Sequence, residues 1–210
     1  MLKKLFLSAL VIIFALLSIA LYRTVTHTAS VDGIIAGEVI AIDEEKASQN
    51  LAASIRFKTI SYQDEEMFPY VEFNNFIKWA AATYPEFHQV MKIDQLEHSL
   101  LFKWQGSDPM LAPILFEGHH DVVPIIPGTE NLWQENPFAG VISNNRIWGR
   151  GALDDKSGVI GLMEAATYLI KNNFKPKRTI YFSFGHDEEV GGSGAAMITE
   201  KLRQEGVQLS

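Results

Sequence analysis

Three short clusters of metal-seeking side chains occupy the second half of this sequence: His119-His120-Asp121, Asp154-Asp155 and Glu188-Glu189. Asp154 follows Asp121 by 33 residues, and Glu188 follows Asp154 by 34. Each cluster comes after a run that reads as a strand or a glycine turn. Strands alternating with helices predict an α/β domain with a mostly parallel central sheet. Such sheets gather functional side chains at the carboxyl ends of their strands, and all three clusters are expected there.

The elements follow from periodicity. Helical spacing is expected over 44–60, with Leu51, Ile55 and Ile60 on one face, and over 68–83, with Val71, Phe76, Trp79 and Ala80. Tyr84-Pro85 ends the second of these. Residues 100–104 and 114–116 read as two strands separated by the turn Gly106-Ser107-Asp108-Pro109. A long Pro-, Gly- and Asn-rich loop follows Asp121 and runs to Asn145, and loops of that length are usually functional. A short strand is expected at 146–148. Asp155 or Ser157 can cap a helix at about 158–171, a buried strand spans 178–184, and a last helix spans 194–203. The aromatic stripes on the early helices read as core packing.

The first residues set a separate constraint. After Met1-Leu2-Lys3-Lys4, an apolar run from Leu5 to Tyr22 is broken only by Ser8 and Ser18. It has 18 residues, against roughly 17–25 for a membrane span and about 7–15 for the core of a signal peptide. An uncleaved anchor is expected. Lys3 and Lys4 would keep its start in the cytoplasm and the rest of the chain outside. The competing reading is a signal peptide cut after the small-x-small sequence Ser18-Ile19-Ala20, with secretion of the remainder. Expected boundaries are therefore 1–22 for the anchor or signal, 23–37 for a small, polar stalk, and 38–210 for the catalytic domain.

Composition narrows the chemistry. The chain has no cysteine, so disulfides, thiolate zinc sites and a cysteine nucleophile are excluded. Its net charge of −7 argues against a nucleic-acid partner. Any metal must be held by imidazole and carboxylate. Along an extended chain His119 and Asp121 point one way and His120 the other, so His120 is expected to be a packed or exposed supporting residue and not a ligand. Asp121 is placed to support the His119 imidazole, since a ligating histidine commonly gives its other N–H to a carboxylate. For Asp154 and Asp155 the plain alternative is helix capping. For Glu188 and Glu189 it is a solvated acidic loop with glycine turns; His186 is an accessory residue at most. Taken together, the clusters suit catalytic zinc, with cobalt or manganese as substitutes. Two ions about 3.5–4 Å apart would clamp both an attacking water and a substrate oxygen.

Three strings carry a family resemblance: Gly118-His119-His120-Asp121-Val122-Val123-Pro124, Trp148-Gly149-Arg150-Gly151-Ala152-Leu153-Asp154-Asp155-Lys156 and Gly185-His186-Asp187-Glu188-Glu189-Val190-Gly191-Gly192. They resemble the co-catalytic zinc metallopeptidases, which include glutamate carboxypeptidase, aminoacylase, acetylornithine deacetylase and carboxypeptidase S. Pro137-Phe138-Ala139-Gly140 and Trp-Gly-Arg-Gly are most similar to the carboxypeptidase S branch. The resemblance implies a three-layer zinc-peptidase-like domain that hydrolyses peptide or N-acyl amide bonds. His119 would bind the first zinc, Asp154 would bridge two zincs across a cis Asp154–Asp155 peptide, and Glu189 would bind the second. Asp121 would orient the His119 side and Glu188 would act as general base. The substrate partner would be a small peptide or an N-acyl amino acid. In the family, one further acidic ligand and a late histidine complete the set, and an inserted lid domain allows full-length members to pair. None of these is found in the 210 residues, so the expectation is an N-terminal part of the catalytic domain, incomplete at its C-terminus. The rival expectation is an inactive fragment or an anchored binding module.

Overall fold

The computed structural model describes residues 2–27 and 40–210 and divides the chain into two units, Met1–Ala41 and Ile42–Ser210. In the first unit, helix α1 spans Leu2–Thr26. Its stretch Lys3–Thr26 has a mean hydropathy of 2.7, and none of it is buried. At 1.5 Å per residue it exceeds the roughly 30 Å of a hydrocarbon core. It is thus an apolar helix of the kind that serves as a signal or an anchor. Of the expected stalk, residues 23–26 continue α1 and residues 28–37 lie outside the described residues.

The second unit is an α/β domain. Helix α2 (Glu44–Ile55) starts where the Asp43 side chain accepts the Lys46 N–H at 3.0 Å, with Glu44 and Glu45 favourably placed in its first turn. It stops at Ile55, not at Ile60 as its spacing suggests. Beyond it, Ile60 bridges Val122 in parallel, and Val122 N–H bonds the Thr59 carbonyl. Residues 59–61 are thereby drawn out of the helix and strapped to the first cluster. Helix α3 (Tyr70–Thr83) ends at Tyr84, and Pro85 opens the short α4 (Pro85–Val90), a position where its missing N–H is no loss.

The main sheet is built from β1 (Lys92–Leu96), β2 (Ser99–Trp104), β3 (Ile114–His119) and a later strand, Ile180–Gly185. Between β3 and that later strand come β4 (Val141–Ser143), β5 (Arg146–Trp148) and helix α5 (Lys156–Lys171), so the strand at Ile180–Gly185 is β6. Helix α6 (Gly194–Gln204) follows.

The sheet order is β1-β2-β6-β3. Only β3 and β6 run parallel; β1–β2 and β2–β6 are antiparallel. The expected mostly parallel sheet is therefore corrected to a mixed one. The cause is local: Glu97, with φ of 54°, turns β1 back onto β2 as a hairpin, and β6 enters between β2 and β3. β1 (Lys-Ile-Asp-Gln-Leu) is a largely exposed edge strand with too few apolar residues to stand out in the sequence. β4 and β5 form a separate two-stranded hairpin around Asn144 and Asn145, whose φ angles of 51° and 59° suit the turn that matches strand twist. The second cluster thus follows a small hairpin and not a strand of the main sheet, which corrects the expected strand-end placement.

Alternation along β2 and β6 separates two cores. Leu100, Phe102, Trp104, Phe182 and Phe184 face α3, α4 and α5, while Leu101 and Tyr181 pack with Ile198 and Leu202 of α6. Helices thus cover both faces, and the ends of β3 and β6 are held side by side, His119 opposite Gly185.

Candidate metal centre

His119 closes β3 and is 8% exposed. Its Nδ1 lies 3.2 Å from Asp121 Oδ1 and its Nε2 3.0 Å from Asp154 Oδ1. Glu188 Oε2 is 3.8 Å from the same Nε2. Burial alone would push the imidazole pKa down, but the Asp121, Asp154 and Glu188 carboxylates outweigh it and hold His119 up at about 9. Without a cation, both ring nitrogens therefore donate.

Asp121 is fully buried and works as a hub. Oδ1 accepts from His119 Nδ1 and, at 3.2 Å, from the Glu188 N–H. Oδ2 accepts from the Glu189 N–H at 3.1 Å and from Ser61 Oγ at 2.7 Å. Burial pushes its pKa upward, yet these donors outweigh burial and leave it below the usual carboxylate range. One carboxylate thereby ties the end of β3 to the turn after β6.

The second cluster is set by α5. Asp155 caps the helix, its Oδ1 accepting from Gly158 N–H at 3.2 Å, and its Oδ2 reaches the His119 N–H at 3.4 Å. The Asp154–Asp155 peptide bond is cis. Asp154, 74% exposed in its side chain, is left to face His119. Of the two roles weighed for this pair, capping falls to Asp155. Behind it Lys156 is completely buried, and its Nζ donates to the carbonyls of Ser54 at 2.9 Å and Phe57 at 2.6 Å. These are carbonyls at and just past the end of α2, which a cation caps well. Burial, only partly offset by Glu72 and Asp121, lowers the Lys156 pKa to about 7.

The third cluster forms a single 3₁₀ turn, Glu188–Val190, closed by Gly191 at φ of 63°. Asp187 is buried below it and accepts the Gly194 N–H at 3.0 Å. Glu189 is only partly buried. Its pKa is raised by desolvation first and by the Asp154 carboxylate next. His120 and His186 take no place among the candidate ligands. His120 is fully buried and stacks on Phe76 with ring centroids 4.9 Å apart, and burial drops its pKa to about 3. His186 is buried, with Nδ1 2.7 Å from Ser99 Oγ.

The structure thus brings one ligand atom each from His119, Asp154 and Glu189 within 4.8 Å of one another. No other such group occurs among the described residues. The donor set fits a cation: one imidazole and two carboxylates, with Glu189 partly desolvated and Asp154 close enough to add to the rise of its pKa. Two cavities open on the cluster. One of about 500 Å³ is lined by Gly118, His119, Glu188 and Gly192; the other, of about 270 Å³, is lined by Arg150, Leu153, Asp154 and Glu189. Ser61 and Lys156 escaped the sequence reading. Nothing in their spacing marks them, since both act across long sequence separations.

Known proteins resemble this chain in sequence and in fold. Residues 115–209 match peptidase family M20/M25/M40. A probable carboxypeptidase S-like 2 of Dictyostelium discoideum is 39% identical over 163 residues, covering 76% of this chain and 31% of that protein. The chain belongs to the M20/M25/M40 family. An N-fatty-acyl-amino acid synthase/hydrolase of Xenopus tropicalis is 35% identical over 216 residues, covering 98% of this chain and 40% of its own length. This M20 chain therefore spans about a third of the length of the curated relatives it matches. In fold it is similar to an M20 family metallo-carboxypeptidase, Sso-CP2, of Sulfolobus solfataricus, with a TM-score of 0.61 at 20% identity over 78% of this chain and 35% of that one. Membership implies metal ions, and the His119, Asp154 and Glu189 cluster is where this chain's residues would hold them.

Proposed function

We propose that this chain carries the metal centre of a zinc hydrolase that cleaves peptide or N-acyl bonds of amino acids. The observation that carries the reading is the convergence of His119, Asp154 and Glu189 with the Glu188 carboxylate beside them. The similarity to a carboxypeptidase S-like protein and to an N-fatty-acyl-amino acid synthase/hydrolase supports the substrate class. His119, Asp154 and Glu189 would hold two zinc ions between them; cobalt or manganese would substitute. Zinc supplies a Lewis acid and lowers the pKa of water from 15.7 to about 7.

The remaining steps belong to the protein. Glu188 is 62% exposed in its side chain and lines the larger cavity, so it can take a proton from the attacking water. The same carboxyl then returns that proton to the leaving amine. Asp121 keeps the His119 ring oriented and fixes the backbone of Glu188 and Glu189, so base and ligands stay in register. Helix α1 serves as an anchor that holds the domain outside the cytoplasm, with Lys3 and Lys4 on the inner side; a cleaved signal would leave the same domain secreted.

A second reading, metal binding without turnover, is favoured by the donor count, because three protein donors are few for two ions. Release of free amino acid from N-acyl amino acids and dipeptides, with and without added zinc, separates the two. Zinc-dependent release that Glu188→Ala abolishes supports the hydrolase. Zinc uptake with no release supports the second reading, and neither uptake nor release overturns both.

A further inference from the structure

The segment that leaves α2 early is strapped along the first cluster. Val122 N–H bonds the Thr59 carbonyl, Ser61 N–H bonds the Val122 carbonyl at 3.2 Å, and the Thr59 hydroxyl donates to the His120 carbonyl. At its end the Ser61 hydroxyl, 1% exposed, donates to Asp121 Oδ2. At 2.7 Å it is the shortest of the side-chain and backbone donors that reach this carboxylate. It is also the sole donor among them that comes from outside the three clusters. The other three belong to His119, Glu188 and Glu189, the groups that Asp121 has to keep in place.

That asymmetry has a consequence. A carboxylate held only by the groups it orients can turn with them. An external donor pins one oxygen and so fixes the plane in which the other can meet the imidazole. We propose that Ser61 is a positioning residue of the metal centre. It acts through Asp121, setting the aim of the His119 ring and the placement of the Glu188–Glu189 turn. The proposal rests on the reading of His119, Asp154 and Glu189 as metal donors.

Cobalt(II) supplies the probe, through its visible absorption and its affinity in titrations of the purified protein. Ser61→Ala removes the hydroxyl and should weaken cobalt binding by about 10- to 100-fold, the range seen when groups supporting a ligand are lost, with a changed absorption envelope. Ser54→Ala is the matched control. It also deletes a fully buried hydroxyl, one that donates to the Leu51 carbonyl and never meets Asp121. It should leave affinity and spectrum as in the unmodified protein, whatever it does to melting temperature. Ser61→Thr keeps the donor and should recover most of the affinity, whereas Ser61→Val, of the same shape without the donor, should not. The Thr and Val pair decides the matter if Ser61→Ala proves too unstable to purify. Unchanged cobalt binding in Ser61→Ala, or equal binding by the Thr and Val variants, would overturn the positioning role alone. No cobalt binding by the unmodified protein would overturn the metal centre with it.

Discussion

Asp121→Asn is the substitution that strains this arrangement most for the least change in shape. The carboxylate accepts from four donors, two on each oxygen: His119 Nδ1 and Glu188 N–H on Oδ1, Glu189 N–H and Ser61 Oγ on Oδ2. An asparagine has one acceptor oxygen, so its NH2 must face one of these pairs. Facing the Oδ2 pair, it can donate to the rotatable Ser61 hydroxyl but leaves the Glu189 N–H opposed by another donor. A buried donor without a partner costs about 1–3 kcal/mol. The bonds that remain lose their charge assistance, which is worth about 1 kcal/mol each by the difference between charged and neutral acceptors. Neutralising Asp121 gives nothing back overall, because its lowered pKa shows that its partners already outweigh its burial. The expected loss is about 3 kcal/mol. For a unit the size of Ile42–Ser210 this corresponds to a drop of roughly 6–12 °C in melting temperature. Urea unfolding followed by tryptophan fluorescence measures the loss directly, with an unchanged m-value as the sign that only stability has moved. A second reading comes from the histidine resonances. With the Asp121 charge removed, His119 should titrate clearly below its value of about 9. A stability change under about 0.5 kcal/mol, the range of ordinary surface substitutions, with an unmoved His119, would refute the hub.

Other outcomes follow from the same geometry. Glu188→Gln should leave zinc binding intact while slowing hydrolysis by about 10²- to 10⁴-fold or more, the usual contribution of a general base; equal losses of binding and turnover would speak against that role. Zinc binding at pH 7 should release a proton to the buffer, because His119 is protonated there and its Nε2 must lose that proton before its lone pair can bind a cation. Calorimetry in buffers of different ionisation heat counts that proton, and apparent affinity should climb up to about pH 9. In the metal-free protein two groups titrate in opposite senses. His119, raised from 6.5 to about 9, contributes stability that is complete below about pH 6.5 and is lost as pH rises to about 9. Lys156, lowered from 10.5 to about 7, imposes a penalty that is complete below about pH 7 and is relieved towards about 10.5. The two slopes largely cancel between pH 7 and 9. Lys156→Met should therefore expose a falling stability over that window, and His119→Asn a rising one, in urea unfolding with chelator present.

Much of this site was legible because its side chains come in short clusters with strong local signals. His119 stands at the end of an apolar run, Asp154 in an acidic pair after a glycine turn, and Glu188 and Glu189 in an acidic pair ahead of two glycines. The Asp155 cap could also be seen locally. What could not be seen depends on contacts between distant segments. Ile60 fits the helical stripe of α2, and only its bridge to Val122 takes it out of the helix. Strand β1 is half polar because it lies at an edge, so alternation was too weak to reveal it, and without it the sheet looked parallel. β4 hid inside a loop and is defined by its pairing with β5 across Asn144-Asn145. Ser61 stands in none of the three strings, and Lys156 only closes the second. Their importance comes from complete burial beside Asp121 and the end of α2, which no spacing encodes.

The most direct test is calorimetric titration of the metal-free protein with zinc, alongside His119→Ala, Asp154→Ala and Glu189→Ala variants shown to be folded by circular dichroism. Saturable binding to the unmodified protein, lost or weakened by at least about tenfold in each variant, is the expected result. Absence of binding, or binding that all three variants retain unchanged, would contradict a metal centre built from these three side chains.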